Sequence, residues 1–234
     1  MQNQDIFYSD RWINWDEMKK NGPTARHTRR IILNLLRKIK FKSVLDVSCG
    51  GGHLLNEIQK KFSNVDLYGT EFIDFAVDMN KNRYRNIEFY KLDISSTSLD
   101  NNYDLVLLID VLEHIENDDK ALNNLIKMTR KYLLISVPLG PLFEKEKKLL
   151  GHVHGYKKSN IDNMLLKAGL IIKESKIWGY PFYNLVRRFS QIPSEFPAEG
   201  SYSMKKKFFA IFLYYLYFLS LPKWGERYFV LCEK

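Results

Sequence analysis

The 234-residue sequence has few cysteines, no long apolar run and no leader-like beginning, and each absence excludes a class of protein. Its two cysteines, Cys49 and Cys232, lie far apart, which argues against a disulfide framework and fits a reducing cytoplasm. The uncharged run 208–221 holds fourteen residues, fewer than the roughly 20 that a membrane-spanning helix needs. Residues 1–10 are polar and carry acids, so we expect no secretory signal. We therefore expect a globular, cytoplasmic protein.

Positive charge is in excess, and it is distributed unevenly. Residues 1–139 carry 20 Lys and Arg against 19 Asp and Glu, whereas residues 140–234 carry 16 against 8. A basic surface attracts nucleic acid, acidic lipid headgroups or phosphorylated substrates, although the same charge also serves solubility. If the charge serves binding, the anionic partner meets the C-terminal part of the chain.

Short apolar runs alternate with amphipathic stretches along the chain. This alternation is typical of βαβ units and predicts an α/β fold with a mostly parallel sheet. The predicted strands are 44–47, 66–70, 87–92, 103–109, 132–137, 170–178 and 227–232. The predicted helices are 25–39, capped by Thr24, then 53–61, 72–80, 117–131 and 159–168.

A glycine cluster follows the first predicted strand directly, in the run VLDVSCGGGH that ends at His53. In an open α/β sheet, ligands bind where such a strand ends, and glycines let a ligand approach the backbone. A dinucleotide-binding G-x-G-x-x-G would need glycines at Ser48, Gly50 and His53, and only one of them is glycine. A P-loop needs a lysine after the last glycine, and none follows Gly52.

The cluster resembles motif I of the class I methyltransferases that depend on S-adenosylmethionine (SAM), roughly D-x-G-x-G-x-G. Asp46, Gly50 and Gly52 match this motif, and Ser48 stands where the family usually has glycine. A serine fits there with ordinary backbone angles but is strained if its φ is positive. The resemblance implies a Rossmann-like, seven-stranded sheet whose last strand is antiparallel, with helices on both faces and SAM at the carboxyl edge.

The resemblance also assigns residues at the ends of the next two strands. Glu71, followed by Phe72, matches the acid that binds both ribose hydroxyls of SAM, as a carboxylate can accept two hydrogen bonds from a cis-diol. Asp93, followed by Ile94, matches the acid that meets the adenine amino group.

The fourth strand ends in Asp110-Val111-Leu112-Glu113-His114-Ile115, which resembles the D-V-L-E-H-[IV] run of small-molecule methyltransferases. By this resemblance Asp110 lies near the methionine moiety of SAM. His114 is either catalytic or a structural histidine that hydrogen-bonds the backbone. The run lacks the prolines of the [DN]-P-P-[YFW] motif that many nucleic-acid amino-methyltransferases carry here.

Two histidines follow the fifth strand, in Gly151-His152-Val153-His154-Gly155. An unperturbed imidazole has a pKa of about 6.5, which suits the removal of a hydroxyl proton as the oxygen attacks a methyl group. His152 or His154 is therefore a candidate base, the alternative being that both fix the loop. We expect no metal, because a metal needs three or four ligands and the sequence offers no clear third.

The chain divides into an N-terminal lid (1–40), a SAM-binding core (41–178), an aromatic and basic helical insertion (179–225) and a final strand (226–234). The lid resembles segments that exclude water from the reacting sulfonium. Arg26 is expected to meet the SAM carboxylate or the substrate, as is His27, and Tyr8 and Trp12 to stack over the site. A basic helix lying on the sheet surface is the alternative.

Lys205-Lys206-Lys207 precedes the uncharged run 208–221 in the insertion. The favoured interpretation is a buried helix that packs on the fold or on a second subunit, as in a homodimer. The others are an interfacial helix at the inner face of a membrane, with peripheral contact through 205–221, and a substrate channel.

The leading functional hypothesis is O-methylation of a small molecule, sugar or glycan, and a lipid-linked acceptor is compatible with it. The competing hypotheses are an RNA or protein methyltransferase and a non-catalytic protein with the SAM-binding fold.

Overall fold

The computed structural model describes residues 15–190 and 203–234. The strands are β1 (Ser43–Val47), β2 (Asp66–Glu71), β3 (Glu88–Lys91), β4 (Tyr103–Ile109), β5 (Thr129–Pro138), β6 (Ile171–Trp178) and β7 (Arg227–Glu233). The α-helices are α1 (Pro23–Leu36), α2 (His53–Lys61), α3 (Asp74–Arg83), α4 (Asp118–Met128), α5 (Lys158–Lys167), α6 (Phe182–Ser190) and α7 (Met204–Leu216). Residues 15–21 are also helical.

The seven strands form one sheet in the order β3-β2-β1-β4-β5-β7-β6. The strands β1 to β5 pair in parallel, and β7 runs antiparallel to β5 and β6. The predicted seven-stranded, mostly parallel sheet with an antiparallel last strand is thus confirmed. Because β7 runs in the opposite direction, its first residue, Arg227, pairs with Pro138 at the carboxyl end of β5.

Helices cover both faces of the sheet, as expected. On one face α4 and α5 bury side chains such as Leu125 and Ile161 against the strands. On the other face α1, α2 and α7 do the same with side chains such as Ile32, Leu55 and Leu213. Fully buried strands explain why the predicted strands are continuous apolar runs instead of alternating ones.

The bounds of two predicted helices are wrong. The helix expected from Ala25 begins at Pro23, with Gly22 rather than Thr24 as its N-cap, because the fixed φ of proline suits the first helical position. The helix predicted over 117–131 ends at Met128, and β5 begins at Thr129, which is fully buried and pairs with Tyr103. Tertiary pairing in the sheet outweighs the helical pattern there.

The predicted insertion contains α6 and α7, while residues 191–202 lie outside the described part. The interpretation of 208–221 as a helix that packs on the fold holds for only part of its length, and its packing on a second subunit stays a prediction. Ala210, Leu213 and Tyr217 are buried, whereas Phe208 is 68% exposed and Phe212 is 60% exposed. In the described residues, no helix is both long and apolar enough to cross a membrane. Tyr8 and Trp12 of the predicted lid also lie outside the described residues.

Candidate functional site

The loop between β1 and α2 depends on its glycines. Gly50 and Gly52 have φ values of 58° and 69°, a region that side chains rarely adopt. A Cβ on Gly51 would lie 2.2 Å from Oδ1 of Asp16, and a Cβ on Gly52 would lie 2.7 Å from the ring of Tyr84. The glycine cluster is therefore required both by backbone conformation and by close approach of neighbouring side chains.

Two non-glycine residues at the carboxyl edge of the sheet also have positive φ. Ser48 after β1 has a φ of 56°, and Asp110 after β4 has a φ of 57°. Ser48 stands where motif I usually has glycine, and its positive φ is the strained conformation for a serine at that position. Strained backbone of this kind concentrates at functional sites, where the surrounding structure holds it in place.

Glu71, at the end of β2, faces the glycine loop. Its Oε1 accepts a hydrogen bond from the backbone N–H of Gly50, and its Oε2 accepts one from Phe72 at 3.3 Å. Burial raises the pKa of Glu71, although the Lys19 ammonium opposes this change. Burial, together with the nearby Glu71, raises the pKa of Asp46 to about 8, so Asp46 is mostly protonated at neutral pH. Burial therefore disfavours the ionised form of both acids beside the loop.

Asp93 and Ile94 follow β3, at the neighbouring position of the same edge. Oδ1 of Asp93 accepts hydrogen bonds from the backbone N–H of Ser95 at 3.0 Å and from its hydroxyl at 2.6 Å. Ile94 is 4% exposed, whereas Phe72 is 49% exposed. The turn fixes the Asp93 carboxylate. Ile94 and Phe72 add one buried and one exposed apolar side chain to this edge of the sheet.

Cys49 contributes no reactive thiol to the loop. Both cysteines are free. Burial raises the pKa of the Cys49 thiol well above its ordinary value, and the neighbouring acids add to the increase. The residue acts as a small side chain in a tight loop, as expected.

The described part of the predicted lid lies against the glycine loop. Asp16 accepts hydrogen bonds from Arg83 at 3.0 Å and lies 2.8 Å from Nε2 of His53. These two partners outweigh burial and lower the pKa of Asp16 to about 2. Arg29 donates to the carbonyls of Lys19 and Lys20 at 2.6 and 2.7 Å. Residues 15–21 are thereby tied to α2, α3 and the loop.

Arg26 and His27 contact α7, and none of the following contacts joins them to the glycine loop. The Arg26 guanidinium lies 3.6 Å from the centre of the Tyr214 ring, and Nε2 of His27 lies 2.8 Å from the Tyr214 carbonyl oxygen. His27 also stacks on Trp178 at 5.1 Å. Burial lowers the pKa of His27 to about 4. The two residues join α1 to α7, which differs from the expected contact with SAM or substrate.

Asp110 is held by a partner that the sequence analysis missed. Nη2 of Arg227 donates to both Asp110 oxygens, and the Ser136 hydroxyl donates to Oδ1 at 3.1 Å. Arg227 is 6% exposed, and the Asp110 charge helps to raise its pKa against the effect of burial. The sequence did contain a signal for this pair: a single arginine stands directly before the apolar run 228–232. A guanidinium buried there needs a carboxylate as its partner.

Glu113, His114 and His152 form what we call the histidine–glutamate cluster. One ligand atom from each residue lies within 4.8 Å of the other two, and the rings of His114 and His152 meet edge to face at 4.7 Å. Glu113 is 1% exposed, His152 is 9% exposed and His114 opens to solvent. The sequence offered no clear third ligand for His152 and His154, whereas the fold brings Glu113 and His114 to His152 from a distant segment and leaves His154 out of the cluster.

Burial perturbs all three members of the cluster. It raises the pKa of Glu113 well above its usual range, with a further increase from Asp110. It lowers the pKa of His152 to about 4, with a further decrease from His114. The pKa of His114 is also lowered, because burial outweighs its hydrogen bond with the backbone at Gly151. Both imidazoles are neutral at pH 7.

His154 points to a different set of partners. Its Nε2 lies 2.9 Å from the carbonyl oxygen of Ile115 and 3.1 Å from that of Glu116. The Glu113 carbonyl accepts hydrogen bonds from the backbone of Val153 and His154 at 2.8 and 3.2 Å. These contacts favour loop fixing as the role of His154, and they hold His152 beside Glu113.

Arg187 of α6 was also missed, and it connects the insertion to the cluster. It donates to Glu146 at 2.7 and 2.9 Å and to Glu226 at 3.0 Å. Oε2 of Glu146 lies 4.0 Å from Nδ1 of His152. Sequence spacing gave no signal for this network, because its members are about 40 residues apart.

The sequence was compared with protein families and curated proteins. Residues 21–194 match a family described as a methyltransferase domain. A putative methyltransferase, 235L, of Invertebrate iridescent virus 6 is 24% identical over 122 residues, which is 50% of this chain and 46% of that protein. The ubiquinone biosynthesis O-methyltransferase of Rickettsia bellii is 30% identical over 86 residues, 36% of each protein. The chain thus spans less than half the length of these curated relatives.

Solved structures share the fold at low sequence identity. The N-methyltransferase NodS of Bradyrhizobium japonicum, in complex with S-adenosylhomocysteine (SAH), matches with a TM-score of 0.64 at 15% identity, over 99% of this chain and 98% of that one. Because the family match covers more than half of the sequence, the chain belongs to the methyltransferase domain family, and its fold is that of the class I SAM-dependent methyltransferases.

Proposed function

We propose that the protein transfers the methyl group of SAM to a hydroxyl oxygen of a small-molecule acceptor. The observation that carries this proposal is the histidine–glutamate cluster, which adjoins Asp110 at the carboxyl end of β4. A hydroxyl must lose its proton as it attacks, and two neutral imidazoles beside the ligand edge are suited to that task. When bound, SAM supplies an electrophilic methyl group: the acceptor oxygen forms the new C–O bond, the C–S electron pair returns to sulfur, and the hydroxyl proton leaves at the cluster.

The residues around the glycine loop fit SAM. The positive φ values of Gly50 and Gly52 give the loop the turn that brings its backbone to Glu71, and Glu71 offers a carboxylate for a cis-diol. Asp93 lies at the next strand end, where an amino group would find an acceptor. Residues 15–21 lie over the loop and would exclude water from the reacting atoms, which strengthens electrostatic interactions inside the site. Much of the acceleration would come from holding donor and acceptor in line.

An oxygen acceptor is favoured over a nitrogen acceptor on chemical grounds. A neutral amine attacks with its lone pair and loses its proton afterwards, so it needs no adjoining base. A sugar or glycan hydroxyl is an acceptor of the same chemistry. The alternatives of an RNA or protein acceptor rest on the basic C-terminal part, with 16 Lys and Arg against 8 Asp and Glu in residues 140–234. An affinity for RNA that falls steeply with salt would favour the nucleic-acid alternative.

Calorimetric titration with SAH is the first test. We expect micromolar binding to the full chain, and loss of that binding in Gly50→Asp, because the new side chain would be strained and would fill the loop. Transfer of radioactive methyl from SAM to hydroxylated acceptors, compared with amines of the same skeleton, then tests the acceptor atom. Absence of SAH binding in folded protein would favour a non-catalytic role, and transfer to amines alone would contradict O-methylation.

A membrane-bound, lipid-linked acceptor is a second candidate, favoured by the exposed face of α7. Phe208, Phe212 and Tyr215 are each at least 60% exposed, and the segment 203–225 contains four lysines and no acid. Aromatic side chains beside lysines suit the headgroup region of anionic lipid. A second copy docked on this face would bring like charges together, so the homodimer is the less favoured partner.

Liposome co-sedimentation tests the membrane candidate. We expect binding to vesicles with anionic headgroups, and weaker binding to neutral ones. Neutralising Lys205, Lys206 and Lys207 to glutamine should release the protein, while Phe208→Ser with Phe212→Ser should weaken binding at every salt concentration. Equal binding to neutral vesicles, or concentration-dependent dimerisation through this face, would contradict the candidate.

A further inference from the structure

The histidine–glutamate cluster contains buried polar atoms without a hydrogen-bond partner. Oε2 of Glu113 and Nδ1 of His152 are buried, and neither has a partner among the described residues. A buried acceptor left unsatisfied costs about 1–3 kcal/mol, so native proteins rarely keep two side by side without a reason. A bound ion is one such reason.

The three side chains converge as ligands do. Their ligand atoms lie within 4.8 Å of one another. The ligands of one tetrahedral ion at about 2.0–2.2 Å lie about 3.3–3.6 Å apart, so a bound ion would draw the side chains together by up to about 1.5 Å. Glu113 and His152 are buried, whereas His114 lies at the solvent-exposed side. A bound ion would thus keep positions open toward solvent, as catalytic metal sites do.

The backbone holds this arrangement in place. The Glu113 carbonyl accepts hydrogen bonds from Val153 and His154, which fixes the loop of His152 onto the turn that carries Glu113 and His114. His114 interacts with the backbone at Gly151 and Leu150, which orients its ring. Such outer contacts orient metal-binding histidines in known sites.

We propose that Glu113, His114 and His152 bind one divalent transition-metal ion, of which Zn²⁺ and Mn²⁺ are examples. Two imidazoles and one carboxylate suit such ions, whereas Mg²⁺ and Ca²⁺ prefer sites made of oxygen ligands alone. Two neutral imidazoles and one carboxylate leave a net positive charge on the bound ion. The open positions then accept an oxygen of the acceptor.

This site deepens the proposed function, and its catalytic consequence rests on that function. An acceptor hydroxyl bound to the ion becomes more acidic: its O–H bond breaks, the electron pair stays on the metal-bound oxygen, and the proton passes to water. With the ion in place the imidazoles are ligands instead of bases. The binding of the ion itself does not depend on methyl transfer.

Metal binding to the full chain can be measured without any activity assay. After treatment with a chelator and its removal, the protein is titrated with Mn²⁺, and free Mn²⁺ is followed by electron paramagnetic resonance. We expect one ion per chain, displaced by Zn²⁺, and a higher melting temperature with the ion bound. Glu113→Gln and His152→Phe should each weaken binding by at least about 10-fold, since loss of even an outer partner costs that much.

Glu116→Gln is the matched control. The substitution makes the same chemical change as Glu113→Gln, at an exposed acid three residues away. It should bind Mn²⁺ as the unaltered protein does, and circular dichroism should show that all variants are folded. No binding, or binding unaffected by Glu113→Gln and His152→Phe, overturns the site. Methyl transfer that survives the chelator would overturn the catalytic role of the ion while leaving the proposed function intact, and ion binding without transfer to any hydroxyl would overturn the proposed function while leaving the site intact.

Discussion

The two halves of the carboxyl edge of the sheet are held together in different ways. In the half formed by β1, β2 and β3, Glu71 accepts a hydrogen bond from Gly50, 21 residues away in sequence. In the half that follows β4 and β5, Asp110 pairs with Arg227, 117 residues away. The first half is held by hydrogen bonds to the backbone between residues close in sequence, and the second half by ion pairs between residues far apart in sequence. A short sequence motif can therefore predict the contacts of the first half but not those of the second.

Breaking the ion pair of the second half should have the largest effect. Asp110→Asn leaves the buried Arg227 without its carboxylate, and loss of one partner of a buried pair costs about 3–5 kcal/mol in unfolding free energy. Arg227→Met should cost less, because the Asp110 side chain is 35% exposed and can be hydrated. Urea denaturation measures both variants. Equal, small losses would show that the pair does not hold this half of the edge.

A histidine beneath α7 should make stability depend on pH. The pKa of His27 is lowered to about 4, so the folded state resists its protonation, while the unfolded state accepts a proton below about 6.5. The stability is fully present above about 6.5 and falls as the pH drops toward 4, by about 3 kcal/mol. His27→Phe should lessen this loss in urea denaturation between pH 7 and 4. An identical pH profile in the variant would contradict the assignment.

Removing the carboxylate of the first half should affect the ligand more than the fold. Glu71→Gln should weaken SAH binding by roughly 10–100-fold, because a hydrogen bond to a charged group contributes about 1.5–3 kcal/mol. Calorimetry measures the affinity. Asp93→Asn is the comparison, and its effect should be smaller: the Asn amide oxygen can still accept the one hydrogen bond of an amino group, whereas Glu71→Gln removes one of the two acceptor oxygens that a cis-diol uses. Unchanged affinity in Glu71→Gln would remove Glu71 from the cofactor site.

Relieving strain in the glycine loop should have the smallest effect. Ser48→Gly places the residue that favours positive φ at a position where φ is 56°, so we expect a gain of about 1 kcal/mol in unfolding free energy. Thermal and urea denaturation measure the gain. Asn64→Gly, at another positive φ of 58° outside the glycine loop, is the control for a general glycine effect. A loss of stability in Ser48→Gly would show that the serine side chain makes a stabilising contact.

The sequence by itself determined the fold class and the first half of the edge. Continuous apolar runs mark the buried parallel strands β1 and β4, and Glu71 and Asp93 each follow a shorter predicted strand, so pairing in register places them at the same edge as the glycine loop. The family resemblance on these motifs is confirmed by the family match. These features are readable because they depend on neighbouring residues and on the periodicity of one strand or helix.

Only the tertiary structure decided the partners of the second half. The antiparallel direction of β7 brings Arg227 to Asp110, and the turn after β4 meets the loop after β5 to assemble Glu113 with His114 and His152. Tertiary packing also turned Arg26 toward Tyr214 and left most of the aromatic side chains of α7 exposed. The reason is physical. Ion pairs and ligand clusters need side chains from distant segments to lie a few ångströms apart, and those segments meet only after the strands have paired and the helices have packed on the sheet.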